Sequence, residues 1–125
     1  MSTLKLDTIA SRDGTESTDV TNVINGSAKA WVNFNGIGTV AIRESFNVAS
    51  ITDNGTGDYT VNFTNAMVDA NYCFSGGAGV NSSDLMCVVQ PQNTYSPTTT
   101  SCRFQVIYNA NTFYDVSTVN VVIFR

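Results

Sequence analysis

Three aromatic residues, Tyr95, Phe113 and Tyr114, fall in irregular stretches beside Asn93, Asn109, Asn111 and Asp115. An aromatic ring offered at a surface stacks on the apolar face of a sugar, and neighbouring amides and carboxylates orient its hydroxyls. Tyr95, Asn109, Asn111, Phe113 and Tyr114 are therefore the candidate receptor- or glycan-binding residues. The alternative role for these aromatics is to anchor their own loops. Covalent chemistry has less to work with. The chain contains no histidine, which removes Ser-His-Asp and Cys-His arrangements and most zinc sites. Glu16 and Glu44 are its only glutamates, and Asp13, Asp53, Asp58, Asp69 and Asp84 sit in turn-like contexts. A glycosidase needs two carboxylates converging on a cleft, and nothing in their spacing points to that. The expectation is a binding protein and not an enzyme, with no cofactor and no metal.

Other patterns resolve the same way. The run Asp53-Asn54-Gly55-Thr56-Gly57-Asp58 superficially resembles a calcium loop, but glycine stands at Gly55 and Gly57, where an EF-hand would place oxygen ligands. It reads as a hairpin turn in which Asn54-Gly55 supplies positive φ. Gly76-Gly77-Ala78-Gly79 follows a strand-like stretch with no helix after it, unlike a phosphate-binding loop. Cys73, Cys87 and Cys102 are odd in number and lack C-x-x-C spacing. They are expected to be buried, reduced thiols acting as small hydrophobes.

The elements that must position these residues are strands. Ala30, Val32 and Phe34 alternate with Lys29, Trp31 and Asn33; Val40 and Ile42 with Ala41 and Arg43; Tyr59, Val61 and Phe63 with Thr60 and Asn62; Val119, Val121 and Ile123 with Asn120, Val122 and Phe124. Period two in runs rich in Val, Ile, Phe and Tyr is the signature of a half-buried strand. Asn71–Ser75, Leu85–Gln90 and Arg103–Tyr108 are further candidates, and helix is expected to be nearly absent. Asn35-Gly36-Ile37-Gly38 and the 53–58 run punctuate a meander. The less regular stretches 76–84, 91–101 and 109–117 are long enough to be functional loops. Trp31, Phe34, Phe46, Phe63, Phe74, Phe104 and Phe124 are assigned to the core.

Composition supports the same class. The 125 residues include 14 Asn, 16 Thr and 12 Ser, and only 13% are charged, which suits sheets and turns more than solvent-facing helices. The net charge of −4 with no basic cluster makes nucleic acid a poor partner. The start Met1-Ser2-Thr3-Leu4-Lys5-Leu6-Asp7 lacks the apolar run of a signal peptide, and no stretch approaches a membrane span. Folding in a cytoplasm is expected. The first 27 residues differ from the rest. Leu4, Leu6 and Ile9 are the early apolar anchors, Ser11–Ser17 is polar, and Val20, Val23 and Ile24 lead to Asn25-Gly26. Residues 1–27 therefore read as an extended attachment or oligomerisation arm, and 28–125 as an antiparallel β-sandwich head, jelly-roll-like.

Ser27-Ala28-Lys29-Ala30-Trp31-Val32-Asn33-Phe34-Asn35-Gly36, continuing through Gly38–Arg43, Ser45–Val48, Ile51–Phe63 and Asp69-Ala70-Asn71-Tyr72, resembles a motif that recurs in fibre and other virion proteins of tailed bacteriophages. Ser2–Ile9 is similar to the start of such proteins. The resemblance covers roughly residues 2–75. It implies a virion structural protein, a homotrimer fixed to other virion proteins by its arm, with a β-rich head exposed for host attachment. A short tail fibre, a fibre tip and a capsid-surface decoration are all compatible with it. So, from the aromatic loops alone, is a free-standing lectin-like module. A host-surface glycan is the expected external partner.

Overall fold

A strand that buries one face and wets the other must pair its neighbours so that apolar positions stand opposite one another. The computed structural model describes residues 1–79, 87–108 and 112–125. It shows β1 (Thr8–Ala10), β2 (Ser17–Asp19), α1 (Val20–Gly26), β3 (Ala28–Asn35), β4 (Ala41–Phe46), β5 (Val48–Gly55), β6 (Asp58–Phe63), β7 (Cys73–Gly79), β8 (Cys87–Pro91), β9 (Ser101–Tyr108), β10 (Thr112–Phe113) and β11 (Thr118–Phe124). Among the described residues β1 and β2 form a small hairpin, and the rest form one nine-stranded antiparallel sheet. Its order is β4-β3-β11-β7-β8-β9-β6-β5, with β10 added to β9. The two end strands, β4 and β5, are consecutive in the chain and joined only by Asn47, so the sheet curls into a nearly closed, barrel-like form.

Asn47 sits at φ 55°, a conformation that Asn tolerates better than most residues. Its side chain donates to Lys29 O at 3.0 Å and accepts from Asn65 N at 2.8 Å. The corner is thereby tied to the start of β3 and to the segment after β6.

The alternating positions become the core. Phe34, Val32 and Ala30 stand opposite Val119, Val121 and Ile123, while Tyr59 and Val61 stand opposite Phe104 and Cys102. All of these are buried. Phe34 meets Tyr59 edge-on at 5.2 Å and Phe104 at 6.3 Å. Phe63 and Tyr72 make a second edge-on pair at 5.8 Å.

Several expectations are corrected. Trp31 is exposed because period two turns it outward once Ala30, Val32 and Phe34 face in, and Phe46 is exposed because it pairs with Trp31 past the bulge at Arg43. Phe124 and Phe74 are half-buried, Phe74 with its ring against Phe104. Of the three thiols only Cys102 is buried; Cys73 is exposed and Cys87 half-buried, and none is bridged. Gly76–Gly79, read as loop, belongs to β7, and Phe113 to β10. The 53–58 turn is tighter than expected: Thr56-Gly57 makes it, and positive φ falls on Gly55 and Gly57. Leu85 and the stretch 80–84 lie outside the described residues.

Burial has a measurable consequence. It pushes the Cys102 thiol from 9.0 up to about 11. It also raises the Tyr72 and Tyr59 phenols above 10.0, aided at Tyr59 by its hydrogen bond to Asp115. The unfolded chain releases these protons first, so above pH 9 it binds fewer protons than the folded chain and stability falls as pH rises. Urea midpoints are expected to stay flat from pH 7 to about pH 9 and to drop beyond it. Tyr59→Phe, with no proton to lose, should soften the part of the drop above pH 10.

Candidate functional site

The two ends of the sheet differ. At one end lie the start of β3, where residues 1–27 join, the Asn47 corner and the 92–100 loop before β9. At the other lie the β3–β4 loop, the Thr56-Gly57 turn, Tyr108 and the segment Phe113–Asp115. With eight residues in β9, the two ends are about 23 Å apart.

This separation divides the aromatics chosen from sequence. Tyr95 is at the arm end, half-buried, with its hydroxyl 2.7 Å from Ser101 Oγ and its N–H donating to Gln92 O at 3.2 Å. These contacts anchor its own loop. Phe113 and Tyr114 are at the far end, both exposed, and the Tyr114 ring lies 6.0 Å from that of Tyr108. Tyr95 and the Phe113–Tyr114 pair therefore do not form one site. Asn109 and Asn111 lie outside the described residues.

The carboxylates are largely occupied. Asp115 accepts from Gly57 N at 2.7 Å and from the Tyr59 hydroxyl at 2.6 Å, so it braces the fold beneath Tyr114. Asp58 is held in a two-point pair by Arg103 Nε at 2.8 Å and Nη2 at 2.7 Å, which raises the Arg103 pKa. Asp69 pairs with Arg125, whose hydrogen bonds lower its carboxyl to about 2. The Ser11 hydroxyl and Thr15 lower Asp13 to about 2 in an exposed turn of the arm. Among the described residues no group of His, Cys, Asp and Glu could hold a metal, and no helix is long and apolar enough to cross a membrane.

A site that sequence reasoning missed lies on the outward face of β3, β11 and β7. Cross-strand partners share a face, and the registers make two rows there: Phe46–Trp31–Val122–Ser75 and Glu44–Asn33–Asn120–Gly77. Between Trp31 and β7 lies a groove of about 380 Å³, lined by Trp31, Asn33, Ser75, Gly77, Asn120 and Val122 along with backbone. That volume is within the range of small-ligand sites. Among the described residues no charged side chain lines it. Arg43, at the bulge of β4, reaches across to it: its Nη1 donates to Asn33 Oδ1 at 3.2 Å, its Nη2 contacts Ser117 O, and Asn33 Nδ2 in turn contacts Asn120 Oδ1. The signal available in sequence was the phase of Trp31 and Asn33 against the apolar set. The pairing of β3 with β11 was not available.

Compared with known proteins, the chain matches no family model, no curated protein and no solved structure.

Proposed function

We propose that this chain is a virion structural protein of a tailed bacteriophage, a homotrimeric tail fibre or fibre tip that holds the particle through its arm and offers a β-rich head to the host surface. The observation that carries the reading is the arm. Leu4, Leu6, Ile9, Val23 and Ile24 are all exposed on the single chain. Several large apolar side chains left exposed along one segment suit a surface that another molecule covers. The arm is locally shaped by the β1–β2 hairpin and α1, and every residue of 1–27 except Val20 is exposed. It joins at Ala28, while Phe113 and Tyr114 stand at the opposite end of the sheet, the arrangement an attachment head requires.

The head is proposed to be a jelly-roll-like sandwich of two halves, β4-β3-β11-β7 and β8-β9-β6-β5. The support is the contact of Phe34 with Tyr59 and Phe104 across the interior, together with a β7–β8 register that, among the described residues, is the one pair Ala78–Cys87. Among the described residues both end strands, β4 and β5, have a neighbour on one side, and sister chains of a trimer would cover the other edge. The proposed partners are two sister chains, other virion proteins at the arm and a host-surface glycan; nucleic acid and membrane are not among them. The proposed location is the virion, after assembly in the host cytoplasm.

Light scattering on the purified protein tests this reading. The expected mass is about three times the 13.4 kDa of one chain and holds on dilution. A 13.4 kDa species that persists when the protein is concentrated overturns the trimer and favours a free-standing carbohydrate-binding module, the second reading, which the exposed Phe113 and Tyr114 support.

A further inference from the structure

We propose that the outward groove of β3, β11 and β7 is a binding site for a neutral saccharide, with Trp31 as its stacking platform and the Asn120 amide as its fixed donor. The argument begins with donors and acceptors. A guanidinium can only donate, so Asn33 must turn its oxygen toward Arg43 and therefore its nitrogen toward Asn120. Asn120 then presents its oxygen to Asn33. Its own nitrogen makes no hydrogen bond to any described residue. One arginine thus sets the orientation of two amides across three strands and leaves an N–H donor pair at the groove. Each bond in such a chain polarises the next.

Beside that donor stands Trp31, 37% exposed, on a strand position where a polar residue would be the ordinary choice. A face that is apolar at the ring and neutral and polar at the amides matches a sugar, which has one face of C–H groups and hydroxyls around its edge. The described lining residues carry no charge, which fits a neutral ligand rather than a phosphate or an acidic peptide.

Gly77 supplies the room. Its φ lies outside the positive region, and a Cβ there would meet nothing within 4 Å. Neither backbone conformation nor packing requires glycine here, although glycine weakens a strand interior. A strand glycine of this kind often marks the close approach of a ligand. A valine at this position would suit the strand and fill the groove.

The inference rests on the reading of the chain as a binding head but not on the trimer, and mass and binding are read separately on the same samples. Trp31 is the only tryptophan in the chain, so its emission reports the groove without background. The probes are maltoheptaose, chitotetraose and dextran at millimolar concentration. At least one is expected to shift Trp31 emission saturably and to protect it from iodide quenching. Gly77→Val is expected to weaken that binding by about tenfold or more while melting at or above the wild-type temperature. Asn120→Asp keeps the acceptor for Asn33 but replaces the free N–H donors, and is expected to lose a similar factor. Three results would overturn the inference: no emission change with any probe, unchanged affinity in both variants, or a Trp31 already shielded from iodide in the trimer. The last would assign this face to a sister chain. In each case a trimer mass would leave the attachment reading standing.

Discussion

Replacing Phe104 by alanine is expected to remove about 3–5 kcal/mol of stability and to lower the melting temperature by roughly 10–20 °C. Phe104 is fully buried in the middle of β9, and three other rings lie against it: Tyr59 at 6.0 Å, Phe34 at 6.3 Å and Phe74 at 6.3 Å. Its Cα partners are Tyr59 on β6 and Pro91 on β8, so backbone pairing on both sides fixes the walls of the space it occupies. The neighbours cannot close in without breaking a ladder, and the cavity persists. That is the condition under which large-to-small substitutions cost most. Phe46→Ala is the matched comparison. The same side chain is lost from a position 54% exposed on the outward face, where the expected loss is about 0.5–1 kcal/mol, mainly its cross-strand contact with Trp31. Urea or thermal melts followed by far-UV circular dichroism at one protein concentration compare the two. Equal losses would mean that the aromatic contact between the halves of the sheet is not what holds it together.

The contrast between these two phenylalanines also marks what was legible in the sequence. Local alternation is a property of neighbours in the chain, and it placed Ala30, Val32, Phe34, Tyr59, Val61, Phe63, Val119, Val121 and Ile123 on inward faces, where the structure has them. Hydrophobicity taken without phase put Trp31 and Phe46 in the core. The phase of β3 already pointed Trp31 outward; Phe46 follows it only through the β3–β4 register, past a bulge at Arg43 that alternation from Val40 and Ile42 does not show.

Non-local pairing was out of reach. Asn33 and Asn120 lie on strands separated by most of the chain, and the amide relay that Arg43 orders depends wholly on β11 lying beside β3. The residues chosen from sequence are divided between two ends of the sheet for the same reason. Tyr95 and Tyr114 share a composition, aromatic among amides, but β9 stands between them. Asp115 had the chemistry to orient a sugar hydroxyl, yet a buried phenol and a backbone amide both bond its Oδ1 and tie it to the turn beneath Tyr114. Composition identifies groups that can bind; topology decides which of them are free to do so.

Gly57→Ala is expected to be the other severe substitution, costing about 2–5 kcal/mol. Gly57 has φ 63°, where an L side chain is strained, and a Cβ there would lie 2.5 Å from Tyr114 N and 2.7 Å from Val106 O. Both obstacles are backbone, so neither can rotate away. The glycine is also bonded on both sides: its carbonyl accepts from Val106 N at 2.7 Å and its N–H donates to Asp115. Moving it would loosen the turn between β5 and β6, the end of β9 and the segment carrying Tyr114 together. Gly38→Ala separates the two causes. Gly38 has nearly the same φ, 67°, but a Cβ would meet nothing within 4 Å, so only the conformational cost of about 1–2 kcal/mol applies. The difference between the two variants, read from urea midpoints at constant slope, is the steric cost of the close approach. Midpoints that fall by the same amount would show that the Gly57 turn does not press against β9, and would remove the support this contact gives Tyr114 at the far end of the head.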